Sequence, residues 1–261
     1  MKKFLKNLVT NNKYLSEDEK ISKRTFISFS VFFALQAAGI TGWLKLKNQP
    51  LDGGLRGGIQ ESLRDGLNIN EKIFGSSFDD NKLAKEYSKK EAVKEARVNG
   101  DVGLGEAVES GWILNVIKAS GEYLEVSLDE IKQLPKTEVI YNFKCIEGWS
   151  EISYWGGVRF ADFIKQYNLT AEAAMSYVGM MTPDEEYYVG IDMPAALHPQ
   201  TLLCYEHNGK PLSPQHGYPL RLIIPVKYGY KSIKRIESIY FDNEKPSDYW
   251  AERGYDYYSG L

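Results

Sequence analysis

The chain has 261 residues, enough for one sizeable domain with appended segments. Its hydrophobic content of 43% and aromatic content of 13% are those of a globular protein that can bury a core. A net charge of −3 gives no indication of nucleic-acid binding, and two cysteines exclude a disulfide framework. A single bridge between Cys145 and Cys204 stays open, although both lie in apolar runs typical of buried strands.

The N-terminal part has the pattern of a membrane protein. Residues 1–24 form a basic segment that we predict to be cytoplasmic. Residues 25–46 are predicted to be a transmembrane anchor or an export signal, because the run from Thr25 to Leu44 carries no charge over about twenty residues, the length of one bilayer crossing. The preceding positive charges predict that the body of the protein lies on the extracytoplasmic side.

Two features of this region bear on export. The run Ser22–Ile27 is similar to a twin-arginine export signal in which Lys23 replaces the first arginine. Small residues at Ala37-Ala38-Gly39 leave cleavage open, which would make the protein periplasmic, although a retained anchor is favoured.

Residues 47–105 are predicted to form a linker and an N-terminal helix draped on the body. The Gly- and Asp-rich stretch 47–80 is typical of an extended linker, and Leu67–Phe74 predicts an edge strand or a chain lying over the body. Asp79 or Asp80 is expected to cap a helix that runs to about Val98.

Residues 106–261 are predicted to form a β-rich body with short helices. Ser127 and Glu130 have the spacing of a capping box, so a short helix should begin there. A second helix is expected from Arg159 to Tyr167. The predicted strands are Trp112–Ile117, Tyr123–Val126, Val139–Cys145, Ala174–Met181, Tyr187–Ile191, Leu220–Val226 and one ending at Tyr240.

Two turns in the last third of the chain carry cationic side chains. They span Pro211–Arg221 and Lys227–Lys234. Cationic groups, a hydroxyl and turn N–H groups are what a phosphate requires, while an ordinary basic surface is the alternative. The residues concerned are His216, Arg221, Lys227, Lys231, Ser232 and Lys234. The chain has no Walker-type or GxGxxG loop, which disfavours a free nucleotide.

Cys145 lies where an apolar run stops and the Gly148-Trp149-Ser150 turn begins. The end of a strand is a usual place for a reactive side chain on a rigid support. On these residues alone, Cys145 is a nucleophile, a metal ligand or a packing residue.

Three motifs, CIEGWS at 145–150, HPQTLL at 198–203 and PLSPQHGYPLRLIIPVKYGYKSIK at 211–234, resemble the sulfite oxidase/molybdopterin-dependent oxidoreductase superfamily. Within it the chain looks most similar to the branch of periplasmic methionine-sulfoxide reductases. The resemblance implies an α+β fold of sulfite-oxidase type, with mixed β-sheets and short helices around one molybdopterin. That body would follow one N-terminal transmembrane or signal helix.

The resemblance also implies site residues. Cys145 matches the protein ligand of molybdenum, for which a thiolate is a suitable soft donor. Glu147 resembles the reductase branch and is expected to line the metal pocket and handle protons, with a surface carboxylate as the alternative. At His216, sulfite oxidases have His and the reductases usually Asn. The implied cofactor contacts are Asn70, Thr182, His216, Arg221, Ser232, the backbone of Ile233, and Lys234.

The expected activity is oxygen-atom transfer at molybdenum, with reduction of S-oxides such as protein methionine sulfoxide favoured. The alternatives are a sulfite-oxidase-like dehydrogenase and a membrane-anchored pterin-binding protein without catalysis. The sequence has no haem-binding CxxCH motif, and we expect no C-terminal dimerisation domain after Trp250–Tyr255. We therefore expect a monomer that exchanges electrons with a separate partner, a membrane haem protein.

Overall fold

The computed structural model describes residues 16–52, 58–79, 81–98, 100–105 and 111–261. The chain forms two compact units. The first runs to Pro50 and includes Gln60–Ser62, and the second holds 51–59 and 63–261.

The first unit contains the helix Glu17–Lys47. A capping box starts it: the Ser16 hydroxyl accepts a hydrogen bond from Glu19 N, and the Glu19 carboxylate accepts one from Ser16 N at 2.8 Å. Because of this cap, the helix begins within the basic segment, before the predicted start at Thr25. It is the one described helix that is long and apolar enough to cross a membrane, and none of its residues is buried.

The second unit contains two five-stranded sheets. The first has the order β2-β1-β10-β5-β6, and every neighbouring pair is antiparallel except β1 and β10, which are parallel. Its strands are β1 (Ile113–Ile117), β2 (Tyr123–Ser127), β5 (Tyr177–Met181), β6 (Tyr188–Asp192) and β10 (Ser238–Asp242).

The second sheet has the order β3-β4-β7-β8, with β9 also paired to β7. Its strands are β3 (Lys136–Lys144), β4 (Ser150–Arg159), β7 (Leu202–His207), β8 (Lys210–Pro211) and β9 (Arg221–Ile223). A bulge between Gly156 and Gly157 shifts the register of β4 against β7. A Cβ on Gly157 would lie 2.2 Å from the Leu203 carbonyl oxygen, so this close approach requires glycine.

Short helices cover the sheets. They are Leu128–Lys132, Phe160–Gln166, Thr170–Ala173 and Met193–Ala196. The predicted capping box at Ser127 and Glu130 is confirmed. Phe160 and Phe163 are fully buried in the main core, as the apolar spacing of their helix predicts.

Two predictions for residues 47–105 were wrong. The first concerns Leu67–Phe74, which belongs to the helix Glu61–Ser76 rather than to a strand. The charged residues of this helix fall on one side at helical spacing, a signal that the strand prediction overlooked.

The second concerns the helix expected from Asp79 or Asp80 to Val98. Asp80 is outside the described residues, and those described between 79 and 98 form turns and extended chain. Tyr87 N donates to Ile140 O and Val93 N donates to Ile152 O, each at 2.9 Å. Because these backbone groups bond the β3–β4 hairpin, tertiary contacts override the helical pattern.

Candidate active site

Cys145 is the first residue of the turn between β3 and β4. Its N–H donates to Trp149 O at 2.9 Å, and Gly148 N donates to Cys145 O at 3.1 Å. Gly148 has φ +90°, a left-handed conformation that glycine adopts without strain. The turn therefore fixes the thiol at the end of a rigid hairpin, where the residue is only 6% exposed. Neither Cys145 nor Cys204 is in a disulfide.

The Glu147 carboxylate lies beside this thiol. Its Oε2 atom is 3.8 Å from Cys145 Sγ and accepts a hydrogen bond of 3.1 Å from Trp149 Nε1. Burial raises the pKa of the Cys145 thiol, the negative charge of Glu147 adds to this, and the Arg97 guanidinium opposes it. Without a metal, Cys145 is therefore a protonated thiol, which disfavours a free nucleophile, whereas a bound cation would favour the thiolate.

Arg221 begins β9 and is buried. Its guanidinium donates to His216 O at 3.0 Å and to Ser232 O at 3.1 Å, and it lies over the Trp155 ring, 4.6 Å from the centroid. Arg221 Nε has no hydrogen-bond partner, and Arg221 makes no ion pair with any residue that the structure describes. A buried guanidinium of this kind is a binding group for an anion.

Lys234 is a second cation beside Arg221. Its Nζ donates to Gly100 O at 2.8 Å. Burial lowers the pKa of Lys234 to about 7, the charge of Arg221 adds to this, and Asp101 opposes it. A Cβ on Gly217, which has φ +97°, would lie 2.8 Å from Lys234 Cβ. The two basic loops therefore cross closely, which brings the two cations together.

A cavity of about 230 Å³ joins the turn and the two loops. It is lined by six of the predicted site residues: Cys145, Glu147, His216, Arg221, Ser232 and Lys234. The structure therefore brings together residues that are far apart in the sequence. Both ring nitrogens of His216 are within hydrogen-bonding distance of protein atoms, Nδ1 at 2.7 Å from Ser213 Oγ and Nε2 at 3.3 Å from Ala96 O.

Three predicted cofactor contacts lie elsewhere. Asn70 is in the helix Glu61–Ser76 and does not line the cavity. The Thr182 hydroxyl donates to Asp184 at 2.6 Å, within the turn before β6. Ile233 is fully buried, and its N–H donates to Lys231 O at 3.0 Å. Contacts from these three residues to a cofactor stay predictions.

Two lysines of the predicted basic turns have a structural role instead. Lys231 Nζ pairs with Asp248 at 2.5 Å, and both side chains are 1% exposed. Lys227 Nζ pairs with Asp192, also at 2.5 Å. These buried ion pairs use the charges inside the fold, so the prediction that both turns display all their cations to a phosphate was wrong for Lys227 and Lys231.

The sequence reading missed the aromatic walls of the cavity. No local motif marks these residues, because each comes from a different element and becomes a wall only through the fold. The aromatic residues that line the cavity are Phe143, Trp149, Trp155, Tyr187, Tyr230, Trp250 and Tyr255. Arg97 also lines the cavity, and its guanidinium lies 4.8 Å from the Trp149 ring centroid.

The comparison with protein families identifies the class. Residues 101–250 match the family described as "Oxidoreductase molybdopterin binding domain". Since this match covers more than half of the chain, the protein belongs to that family, and it is a molybdopterin-binding oxidoreductase.

Among individual proteins, the chain is 34% identical over 195 residues to the "Putative protein-methionine-sulfoxide reductase subunit YedZ1" of Azospira oryzae, covering 74% of this chain and 73% of the relative. It is 34% identical over 169 residues to the protein-methionine-sulfoxide reductase catalytic subunit MsrP of Campylobacter jejuni, covering 58% of this chain and 56% of the relative. The solved sulfane dehydrogenase SoxCD of Paracoccus pantotrophus is 16% identical, with a TM-score of 0.48, covering 54% of this chain and 40% of its own.

The cavity fits the cofactor of this family. A molybdopterin has an anionic phosphate, and Arg221 with its orphaned Nε is a buried donor without a counter-ion in the described chain. The Cys145 thiol supplies a soft donor at another part of the same cavity wall. A cofactor that carries both a metal and a phosphate would therefore find a suitable group for each.

Proposed function

We propose that this oxidoreductase reduces S-oxides, in the reaction R₂SO + 2H⁺ + 2e⁻ → R₂S + H₂O. The observation that carries the proposal is the Glu147 carboxylate, 3.8 Å from the Cys145 thiol in the wall of the cavity. A reaction that releases water from a departing oxygen needs protons at this place.

When bound, the molybdenum cofactor supplies a metal centre that exchanges an oxygen atom and two electrons with the substrate. Cys145 would hold the metal through Sγ. Arg221 and Lys234 would hold the phosphate by charge-assisted hydrogen bonds. The phosphate would also provide a counter-charge for Arg221, which is buried and makes no ion pair with any residue that the structure describes.

Glu147 delivers a proton to the substrate oxygen as the S–O bond breaks. The hydrogen bond from Trp149 Nε1 to Glu147 Oε2 holds the carboxylate in position next to Cys145. The carboxylate is exposed, so water returns a proton to it after each turnover. Positioned proton transfer of this kind contributes roughly 10²- to 10⁴-fold to a rate.

The walls of the cavity discriminate between substrates. A sulfoxide is neutral, and its alkyl groups fit the aromatic walls, because sulfur-bearing side chains make favourable contacts with aromatic rings. Relatives named as methionine-sulfoxide reductases support a peptidyl or free methionine sulfoxide as the substrate.

We further propose that catalysis takes place outside the cytoplasmic membrane and that the electrons come from a separate protein, a membrane haem protein. The helix Glu17–Lys47 supports an anchored arrangement, because its length and apolar composition suit a bilayer crossing and basic residues precede it.

The test is a comparison of two reactions on purified protein that contains molybdenum. Reduction of methionine sulfoxide is followed by the oxidation of a reduced viologen dye, and oxidation of sulfite by the reduction of ferricyanide. We expect turnover with the sulfoxide and little with sulfite. Rapid sulfite oxidation without sulfoxide reduction would refute the proposal, and loss of both would favour a pterin-binding protein without catalysis.

A further inference from the structure

The helix Glu61–Ser76 contacts the body of the second unit through charged side chains. The Glu71 carboxylate accepts a hydrogen bond of 2.9 Å from the Tyr177 hydroxyl, and its side chain is 18% exposed. The Arg64 guanidinium donates to Tyr255 O at 2.9 Å, and its side chain is 16% exposed. The side of the helix that faces the protein therefore includes charged residues.

Four of the five large apolar residues of this helix are exposed, and the fifth, Leu67, is half-buried. Leu63 is 44% exposed, Ile69 54%, Ile73 53% and Phe74 56%. At about 100° per residue they fall within an arc of about 140° that contains no charged residue. The charged residues all lie outside this arc, and they are Glu61, Arg64, Asp65, Glu71 and Lys72.

An ordinary surface helix buries its apolar side, whereas this helix leaves four large apolar residues exposed. Four large apolar side chains on one side of a helix form a patch of the kind that marks an interaction site. The polar contacts of Arg64 and Glu71 hold that patch outward, away from the core.

From this orientation we infer that the arc of Leu63, Ile69, Ile73 and Phe74 lies in the surface of a lipid bilayer. The inference rests on the anchored arrangement in the proposed function. Residues 48–60 connect this helix to the helix Glu17–Lys47, and a fully extended chain of that length reaches at most about 45 Å. The bilayer that holds the anchor is therefore within reach of this helix and could cover its apolar arc. A helix in such an interface buries its apolar side about 5–10 Å deep.

The contacts of Arg64 connect this helix to the active site. Tyr255, whose carbonyl accepts from Arg64, lines the cavity that contains Cys145. A membrane-seated helix would therefore fix the cavity relative to the bilayer. That placement suits a donor of electrons that is itself embedded in the membrane.

The test uses the full chain in phospholipid nanodiscs, with a nitroxide label on one introduced cysteine at a time. Ile73→Cys reports on the apolar arc, and Lys72→Cys is the matched control on the charged side of the same turn. Phe32→Cys, in the helix Glu17–Lys47, reports on the anchor. Both native cysteines are buried, so labelling of the wild-type protein gives the background.

We expect the label at position 73 to be more accessible to oxygen than to a water-soluble nickel chelate, and the label at 72 to show the reverse. Equal chelate access at 73 and 72 would overturn the inference. Protection of position 73 from both reagents would also overturn it, because a protein surface, from a partner or a second copy, would then cover the arc.

The label at position 32 tests the membrane anchor separately from the placement of the helix Glu61–Ser76. If the label at position 32 is accessible to oxygen but the label at position 73 is accessible to the chelate, only the placement of the helix Glu61–Ser76 in the membrane surface is refuted. A chelate-accessible 32 would refute the anchor and the inference together. Sulfoxide turnover should be the same in all three labelled proteins, since none of the three positions lines the cavity.

Discussion

Replacing Arg221 by Met should weaken cofactor binding much more than it weakens the fold. The substitution keeps an unbranched apolar stem and removes the buried charge. A charge-assisted hydrogen bond to a phosphate is worth about 1.5–3 kcal/mol, which corresponds to a roughly ten- to hundred-fold rise in the dissociation constant of the cofactor.

The effect on the apo-protein should be smaller, for a reason visible in the structure. Arg221 donates to His216 O at 3.0 Å and to Ser232 O at 3.1 Å, and these bonds would be lost. However, burial lowers the pKa of Arg221, which means that its charge is costly where it lies. Removing a buried cation that has no ion-pair partner in the described chain removes this desolvation cost as well.

The assay measures molybdenum per protein by mass spectrometry, and melting temperatures with and without cofactor. A ligand that binds only the folded state raises the melting temperature by an amount that grows with the logarithm of its affinity. The difference in melting temperature between holo- and apo-protein should therefore shrink in Arg221→Met. Arg235→Met is the matched control. Arg235 is also buried and donates to Leu104 O at 2.8 Å, but it does not line the cavity.

In Arg235→Met we expect the melting temperatures with and without cofactor to fall by the same amount, so that the difference between them is unchanged. If Arg221→Met keeps the molybdenum content and the melting-temperature difference of the wild-type protein, then Arg221 does not hold the phosphate. The cavity would then bind its cofactor in another way.

Three further predictions concern the cavity. Cys145→Ser should keep the pterin, measured by its fluorescence after oxidation, but lose sulfoxide turnover; full activity would show that Cys145 is not the ligand. Glu147→Gln should lower kcat for sulfoxide on the order of 10²-fold at unchanged molybdenum content, whereas an unchanged kcat would make Glu147 a surface carboxylate. Because burial lowers the pKa of Lys234 to about 7 from 10.5, the unfolded state binds the extra proton between these pH values. In urea unfolding of the apo-protein in detergent, Lys234 should therefore contribute a rise in stability of up to about 1.4 kcal/mol per pH unit there, measured as the difference in slope between the wild type and Lys234→Met. Bound phosphate should make the dependence of stability on pH less steep, and so should Lys234→Met. If Lys234→Met has the same slope as the wild type, the pH dependence belongs to another group.

Local patterns in the sequence predicted much of the body. The strand that ends before Cys145 follows from an apolar run that stops at a turn, and the short helix after Ser127 follows from its capping box. These features depend on neighbours in the chain, so they can be read without the fold. The pairing of β1 with β10 depends on long-range contacts, and no pattern in either strand indicates it.

The candidate site was predicted less completely, because the role of a cation depends on what is buried next to it. Arg221, Lys231 and Lys234 look alike in the sequence, as basic residues at turns. In the fold, Lys231 meets Asp248 and becomes part of the core, whereas Arg221 has no carboxylate partner in the described part of the chain. The presence of such a partner, far away in the sequence, separates a structural charge from a binding charge.

The crossing of the two basic loops has a consequence for biosynthesis. Cys145 leaves the ribosome well before Arg221 and Lys234, and the second loop is pinned through Lys231 by Asp248, which comes later still. The cofactor pocket is therefore among the last features to be completed as the chain is made. Cofactor loading has to follow translation, and a chain that stops before Asp248 would keep the metal ligand but lack a firmly held phosphate site.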